Sequence, residues 1–366
     1  VAFTADELDF VLRNEVNPDG FALTKRAAFD DARLARERYG AFGRAALELL
    51  TARAAGKVPD NWLVDSEAAQ QATPPPVAAE RAARLAGYPI HDVTCSVGTE
   101  GRFIDGPWIG SDLDPIRVRM AAHNLPGRLV LRADALHPVS RGCVIVADPA
   151  RRSGGRRLKD TIPPLPDLFA AWPDTEMAIK CAPGIDYSGF DGAVVVSSVD
   201  GGVKETCLYT PGLARPGVRR EAIIHREGRC DRLDDTLPDD VPAAAPGRYI
   251  LDPDGAIVRA GLVRHFAARE GLWQLDERIA YLTGDTIPSG YSGFEFREQV
   301  PLKRLRSALA RHDAGRAEIL VRGVDVDPDA LRARLKLRGS TAVTIVCTRI
   351  GRDGVALICG PREFTP

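Results

Sequence analysis

Tyr88-Pro89-Ile90-His91-Asp92-Val93-Thr94-Cys95-Ser96-Val97-Gly98-Thr99-Glu100-Gly101 is the stretch on which the fold turns, because it is the first of four apolar runs that each end in a polar cluster. The others close on Gly110-Ser111-Asp112-Leu113-Asp114-Pro115, on Arg132-Ala133-Asp134-Ala135-Leu136 and on Ala147-Asp148-Pro149-Ala150-Arg151-Arg152. In an open α/β sheet, ligands bind beyond the carboxyl ends of parallel strands, so four such ends in succession describe one crevice. Gly98 and Gly101 stand where the first loop must turn tightly and let a ligand approach the backbone. Asp112 closes the second strand, where a carboxylate can accept both hydrogens of a ribose hydroxyl pair. Asp134, closing the third, suits an adenine exocyclic amine. The crevice reads as an adenosyl pocket, and the lack of a full G-x-G-x-x-G argues against a nicotinamide enzyme.

These four elements, in this order, resemble the class I S-adenosylmethionine-dependent methyltransferases, with Asp92 through Gly101 as the first motif and Asp148-Pro149-Ala150-Arg151 as the fourth. The resemblance implies a Rossmann-like seven-stranded α/β sheet, S-adenosylmethionine as cofactor, and Asp92, Thr94, Ser96, Gly98, Asp112 and Asp134 as cofactor-binding residues. Ser96 replaces the family's first loop glycine. A serine turns there only in an allowed backbone region or with local hydrogen bonding of its hydroxyl.

Further segments narrow the resemblance: 52–59 with Lys57-Val58-Pro59, then Gln70-Gln71-Ala72-Thr73, Asp148 to Arg152, Lys180-Cys181-Ala182-Pro183-Gly184, and Gly202-Val203-Lys204-Glu205. Together they look like the bacterial methyltransferases that end in a THUMP-like domain, over nearly the whole chain. That likeness places Gln71 and Thr73 near the cofactor. It implies an amino-terminal helical region (1–86), a methyltransferase core (87–212), a connecting hairpin and helical region (213–283) and a small α+β THUMP-like domain (284–366).

Local patterns agree with helices to about Arg53 behind a Thr4-Ala5-Asp6-Glu7 cap, and with a helix through Leu85 that Thr73 caps and prolines begin. Asp200-Gly201-Gly202 between two apolar runs signals a hairpin. Residues 254 to about 282 read as helical. Asp327-Pro328 caps a helix with Leu331 and Leu335 on one face and Arg332, Arg334, Lys336 and Arg338 between, ended by Gly339, and two strands follow. This basic module is either an RNA-binding appendage or a structural cap or dimer contact.

The 366 residues carry a net charge of −1, but Arg151, Arg152, Arg156, Arg157 and Lys159 crowd the loop after Asp148. A basic loop beside the reacting centre favours a polyanion such as RNA, tRNA or rRNA, over a solvated arginine face. No signal peptide or membrane span is expected, the seven cysteines form no C-x-x-C pair, and no metal-ligand spacing occurs, so a cytoplasmic, metal-free enzyme with reduced thiols is expected. In the chemistry implied by a D-P-P-aromatic-like loop, the catalytic pair is Asp148, whose side chain accepts a hydrogen from a substrate amine, and Pro149, whose carbonyl is the second acceptor. Arg151 and Arg152 would bind substrate. Lys180 is either a contact for a substrate phosphate or the exposed end of a strand. The alternatives are a noncatalytic RNA-binding or assembly protein and a small-molecule methyltransferase.

Overall fold

The computed structural model describes residues 3–153 and 156–366, with the side chains of 151–160 outside that description. The chain divides into two units, one of residues 1–199 with 204–216 and one of residues 200–203 with 217–366.

The first unit begins with helices α1 (Ala5–Arg13), α2 (Ala28–Tyr39), α3 (Gly43–Ala54), α4 (Ser66–Gln71) and α5 (Pro75–Arg84). Thr4 and Glu7 complete the expected capping box of α1. The α5 cap differs from the expectation. Pro74 occupies the N-cap with no side-chain bond, and Thr73 lies one residue outside the helix.

The strands β1 (Ile90–Asp92), β2 (Trp108–Asp112), β3 (Leu129–Arg132), β4 (Val144–Ala147), β7 (Met177–Cys181), β8 (Ala193–Val199) and β9 (Gly202–Tyr209) run across the first unit in the order β8-β9-β7-β4-β1-β2-β3. Pairing is parallel from β3 to β7, and β9 lies antiparallel to β7. Central strands β4 and β7 are buried at every position, as apolar runs in a sheet covered on both faces must be. Asp200 (φ 50°) and Gly201 (φ 77°) make the hairpin turn into β9. Between β4 and β7 the segment read as an arginine loop forms an antiparallel ribbon of β5 (Ala150–Ser153) and β6 (Arg156–Ile162), followed by α7 (Leu165–Ala171). Helix α6 (Pro115–Asn124) starts at Asp114, whose carboxylate accepts from Ile116, with proline in its first turn. A core of Val93, Ile145, Leu168, Trp172, Met177 and Ile179 fixes the strand ends that carry the crevice.

The second unit contains hairpin β10 (Arg220–Arg226) and β11 (Arg229–Asp234), helices α8 (Gly255–Arg259), α9 (Val263–Glu270), α10 (Leu305–Arg311) and α11 (Pro328–Leu335), and a sheet ordered β13-β14-β12-β15-β18-β17-β16. Those strands are β12 (Tyr249–Leu251), β13 (Trp273–Gln274), β14 (Leu282–Gly284), β15 (Ser292–Pro301), β16 (Ala314–Val321), β17 (Thr341–Ile350) and β18 (Asp353–Phe364). The helical reading of 254–282 therefore holds only to Glu270, because Trp273-Gln274 pairs with Leu282-Thr283. Helix α11 forms as expected behind its Asp327 cap and buries Leu331 and Leu335. It ends sooner, at Lys336 in the left-handed region, rather than at Gly339. No helix among the described residues is long and apolar enough to cross a membrane.

Candidate active site

A cavity of about 960 Å³ opens in the first unit where the strand ends converge. Gln71, Thr73, Thr94, Ser96, Asp112, Asp134, Asp148, Pro149 and Lys180 all line it. Asp92 and Gly98 do not reach the wall. Asp92 is buried behind it, and a Cβ on Gly98 (φ 91°) would lie 2.7 Å from Leu125 Cδ1, so this position requires glycine for packing as well as conformation. The side chains of Arg151 and Arg152 lie outside the described residues.

The end of β2 is built for acceptance. One oxygen of Asp112 takes the Ser96 N–H at 3.0 Å and the other takes the Asp114 N–H at 2.9 Å. Each carboxylate oxygen has a second lone pair, so a hydroxyl pair in the cavity can be accepted without displacing either bond. Burial, against the hydrogen bonds from Asp114 and Ser96, raises this carboxyl above the ordinary aspartate value. The Ser96 departure is paid in backbone geometry: Ser96 itself adopts φ 50°. Asp134 accepts from the Leu136 N–H at 2.9 Å and lies 3.2 Å from His137 Nδ1. Leu113, next to Asp112 on the wall, is 60% exposed and offers an apolar surface to a flat ring. An acid at each of two neighbouring strand ends, with an apolar residue between them, fits an adenosyl group.

At the end of β4 the backbone N–H of Asp148 donates to Thr94 Oγ1 at 2.6 Å, tying the fourth strand to the loop after the first. The Asp148 carboxylate meets Lys180, at the end of β7, at 2.8 Å. Lys180 is not an exposed strand end. It is buried, donates to Thr73 Oγ1 at 2.5 Å and lies 3.4 Å from Glu100. Thr73, expected as a helix cap, in turn donates to Glu100 at 2.7 Å. Behind them, Arg81 of α5 donates through Nε to Glu100 at 3.1 Å and through both terminal nitrogens to Glu205 of β9, at 2.7 and 2.6 Å.

The electrostatics follow from burial and pairing. Burial opposes charge on Glu100, yet Arg81 and Lys180, with the Thr73 hydroxyl, hold its carboxyl at about 2. Burial likewise opposes charge on Lys180, and Asp148, Glu100 and Glu205 overcome it and raise the ammonium above the ordinary lysine value. For Asp92 burial dominates, Glu100 adds repulsion, and the carboxyl is pushed up to about 8. Arg81, Glu100 and Glu205 have no role in the sequence reading. Glu100 lies within the first motif and Glu205 in the quoted Lys204-Glu205 pair, but only the fold shows that Arg81 joins them. Among the described residues no group of histidine, cysteine, aspartate or glutamate is arranged to hold a metal ion.

Comparison with known proteins follows this geometry. Residues 292–361 match the family described as THUMP domain-like. The chain is 49% identical over 342 residues to an uncharacterized S-adenosylmethionine-dependent methyltransferase of Mycobacterium tuberculosis strain CDC 1551 / Oshkosh, covering 86% of this chain and 95% of the relative. The counterpart from strain ATCC 25618 / H37Rv matches over the same extent. A crystal structure from Porphyromonas gingivalis W83 shares the fold at a TM-score of 0.67 and 18% identity, across 92% of this chain and 98% of that protein. This chain belongs to the bacterial S-adenosylmethionine-dependent methyltransferases that carry a THUMP-like domain at their carboxyl end.

Proposed function

We propose that the enzyme methylates a nucleobase nitrogen of RNA, tRNA or rRNA, in the cytoplasm. The observation that carries this reading is continuity of chain. From Asp148-Pro149 on the cavity wall the backbone runs directly into ribbon β5–β6, whose sequence holds Arg151, Arg152, Arg156, Arg157 and Lys159 against one acid, Asp160. Phosphate attraction supplies most nonspecific RNA affinity, so a basic ribbon rooted beside the acceptor site brings a polyanion to it. In this reading residues 87–212 form the catalytic core and 284–366 the appendage, where Arg332, Arg334, Lys336 and Arg338, in and after α11, add a second RNA contact.

S-adenosylmethionine supplies an electrophilic methyl group when bound. Asp112 holds the ribose hydroxyls, Asp134 the adenine amine, and Gln71, Thr94 and Ser96 border the remainder of the ligand, with Asp92 and Gly98 shaping the loop from behind. Asp148 and the Pro149 carbonyl accept hydrogens from the substrate amine, which leaves its lone pair free and fixes its direction. A base within structured RNA must be extruded to reach them.

The test is transfer of labelled methyl from S-adenosylmethionine to total RNA from a strain lacking the gene, with nucleoside mass spectrometry of the product. One nucleoside that is missing in that strain and restored by the purified protein is the expected result. Tight cofactor binding with no nucleoside changed would overturn the RNA reading in favour of a small-molecule methyltransferase or an assembly protein.

A further inference from the structure

Lys180 touches the proposed acceptor residue and nothing in the proposed chemistry uses it. Its ammonium has three hydrogens and three oxygen neighbours: Thr73 Oγ1 at 2.5 Å, Asp148 Oδ2 at 2.8 Å and Glu100 Oε1 at 3.4 Å. A lysine so surrounded is matched to acceptors of its own network. Two of its three neighbours are fixed from elsewhere. Glu100 is held by Arg81, which Glu205 also grips, and Thr73 donates its own hydrogen to Glu100. Of the two carboxylates beside Lys180, Glu100 has 9% of its side chain exposed and Asp148, on the cavity wall, 26%, so the network ends at a carboxylate open to a ligand.

The geometry points to Lys180 as a positioning residue: it pins Asp148 Oδ2 and thereby turns the other oxygen, Oδ1, toward the acceptor's N–H. This inference rests on the reading of Asp148 as the acceptor of the substrate amine. A single directed oxygen has a consequence for the substrate. Together with the Pro149 carbonyl it makes a two-acceptor fork, which matches an amino group that has two hydrogens to give. Thr94 fixes the same residue through its backbone N–H, so Asp148 is held from both the main chain and the side chain.

The test combines contact and rate. In protein labelled with ¹⁵N-lysine, the Lys180 ammonium is expected as an exchange-protected NMR signal that disappears in Lys180→Met and shifts in Asp148→Asn. A signal that is unmoved in Asp148→Asn overturns the contact, whether or not the methionine variant folds. In single turnover with labelled S-adenosylmethionine and total RNA from the deletion strain, Lys180→Met is expected to lose about 10²-fold in rate at saturation, the scale of a misplaced reacting group. Cofactor affinity is expected to be retained, and Lys180→Arg to recover part of the rate. The same substitution made in Asp148→Asn is expected to cost little more, since Lys180 acts through Asp148. Full additivity of the two losses overturns the inference. A wild-type rate in Asp148→Asn alone, or wild-type protein inert toward RNA, defeats the underlying reading instead, and the NMR contact is then measured independently of it.

Discussion

Arg81 in the first unit and Arg311 in the second both pair with glutamate, but Arg81 meets Glu100 and Glu205 with 2% of its side chain exposed, whereas Arg311 meets Glu298 with 59% exposed. The second unit packs an apolar interior from residues such as Leu309, Ile345, Ile358, Phe294 and Leu357, and buries the separate carboxylates Glu221, Asp254 and Asp276. The first puts charges inside, immediately behind the cavity. A buried ion pair gives little net stability over an apolar equivalent, while a broken one is expensive. In the first unit both partners are buried and gather behind the cavity; in the second, buried carboxylates meet arginines that stay partly exposed.

The comparison breaks most visibly at the two arginines. Arg81→Met should strand the buried Glu205, leave Glu100 to Thr73 and Lys180, and lower unfolding free energy by about 3–5 kcal/mol, read from denaturant midpoints. Arg311→Ala should cost less than about 1 kcal/mol, because solvent and salt already screen its pair. Equal losses would erase the distinction.

Asp92 gives a pH test confined to the first unit. Its carboxyl, at about 8 in the folded protein, stays protonated where the unfolded chain has lost its proton. The folded state binds more protons between pH 4 and pH 8, so this group's contribution to stability falls as pH rises through that window and levels off above about 8. The stability advantage of Asp92→Asn over wild type should therefore widen from pH 5 to pH 8, in denaturant titrations at fixed salt. A constant difference across that range would show that Asp92 is ionised in the folded protein.

Asp112→Asn should weaken S-adenosylmethionine binding by about 1.5–3 kcal/mol in calorimetry, the value of a hydrogen bond to a charged acceptor. It should leave the second unit's unfolding untouched. The smallest effect pairs two strained residues, Ser96 in the cavity loop and Lys336 after α11, both with positive φ. Replacing either with glycine should stabilise by up to about 1 kcal/mol, the order of the left-handed penalty. Only Ser96→Gly is expected to alter cofactor affinity as well.

Much of this was legible because it is local. Polar clusters after apolar runs mark strand ends, and Thr4 to Glu7, Asp327-Pro328 and Asp200-Gly201 carry caps and a turn within a few residues. The same locality explains the misreadings. Thr73 before three prolines has the pattern of a helix cap, but its hydroxyl partners are Glu100 and Lys180, 27 and 107 residues away. Lys180 ends an apolar run as an exposed lysine would, and nothing near it in sequence reveals the acids that draw it inward. The ribbon after Pro149 pairs strands rich in arginine, a composition that pattern reading assigns to loop. Arg81 lies in a helix otherwise ordinary in charge, with Glu205 124 residues distant.

Those separations bear on the order of events in folding. Thr73, Arg81, Glu100, Asp148, Lys180 and Glu205 come from six segments spread from the amino-terminal helices to β9, so their charges stay hydrated until the central strands and α5 have all docked. Interactions that assemble after the rate-limiting step add nothing to the speed of folding and act almost wholly on the rate of opening. A network that closes after that step is a latch on opening. It would lend the first unit a long native lifetime, even where its equilibrium stability is modest.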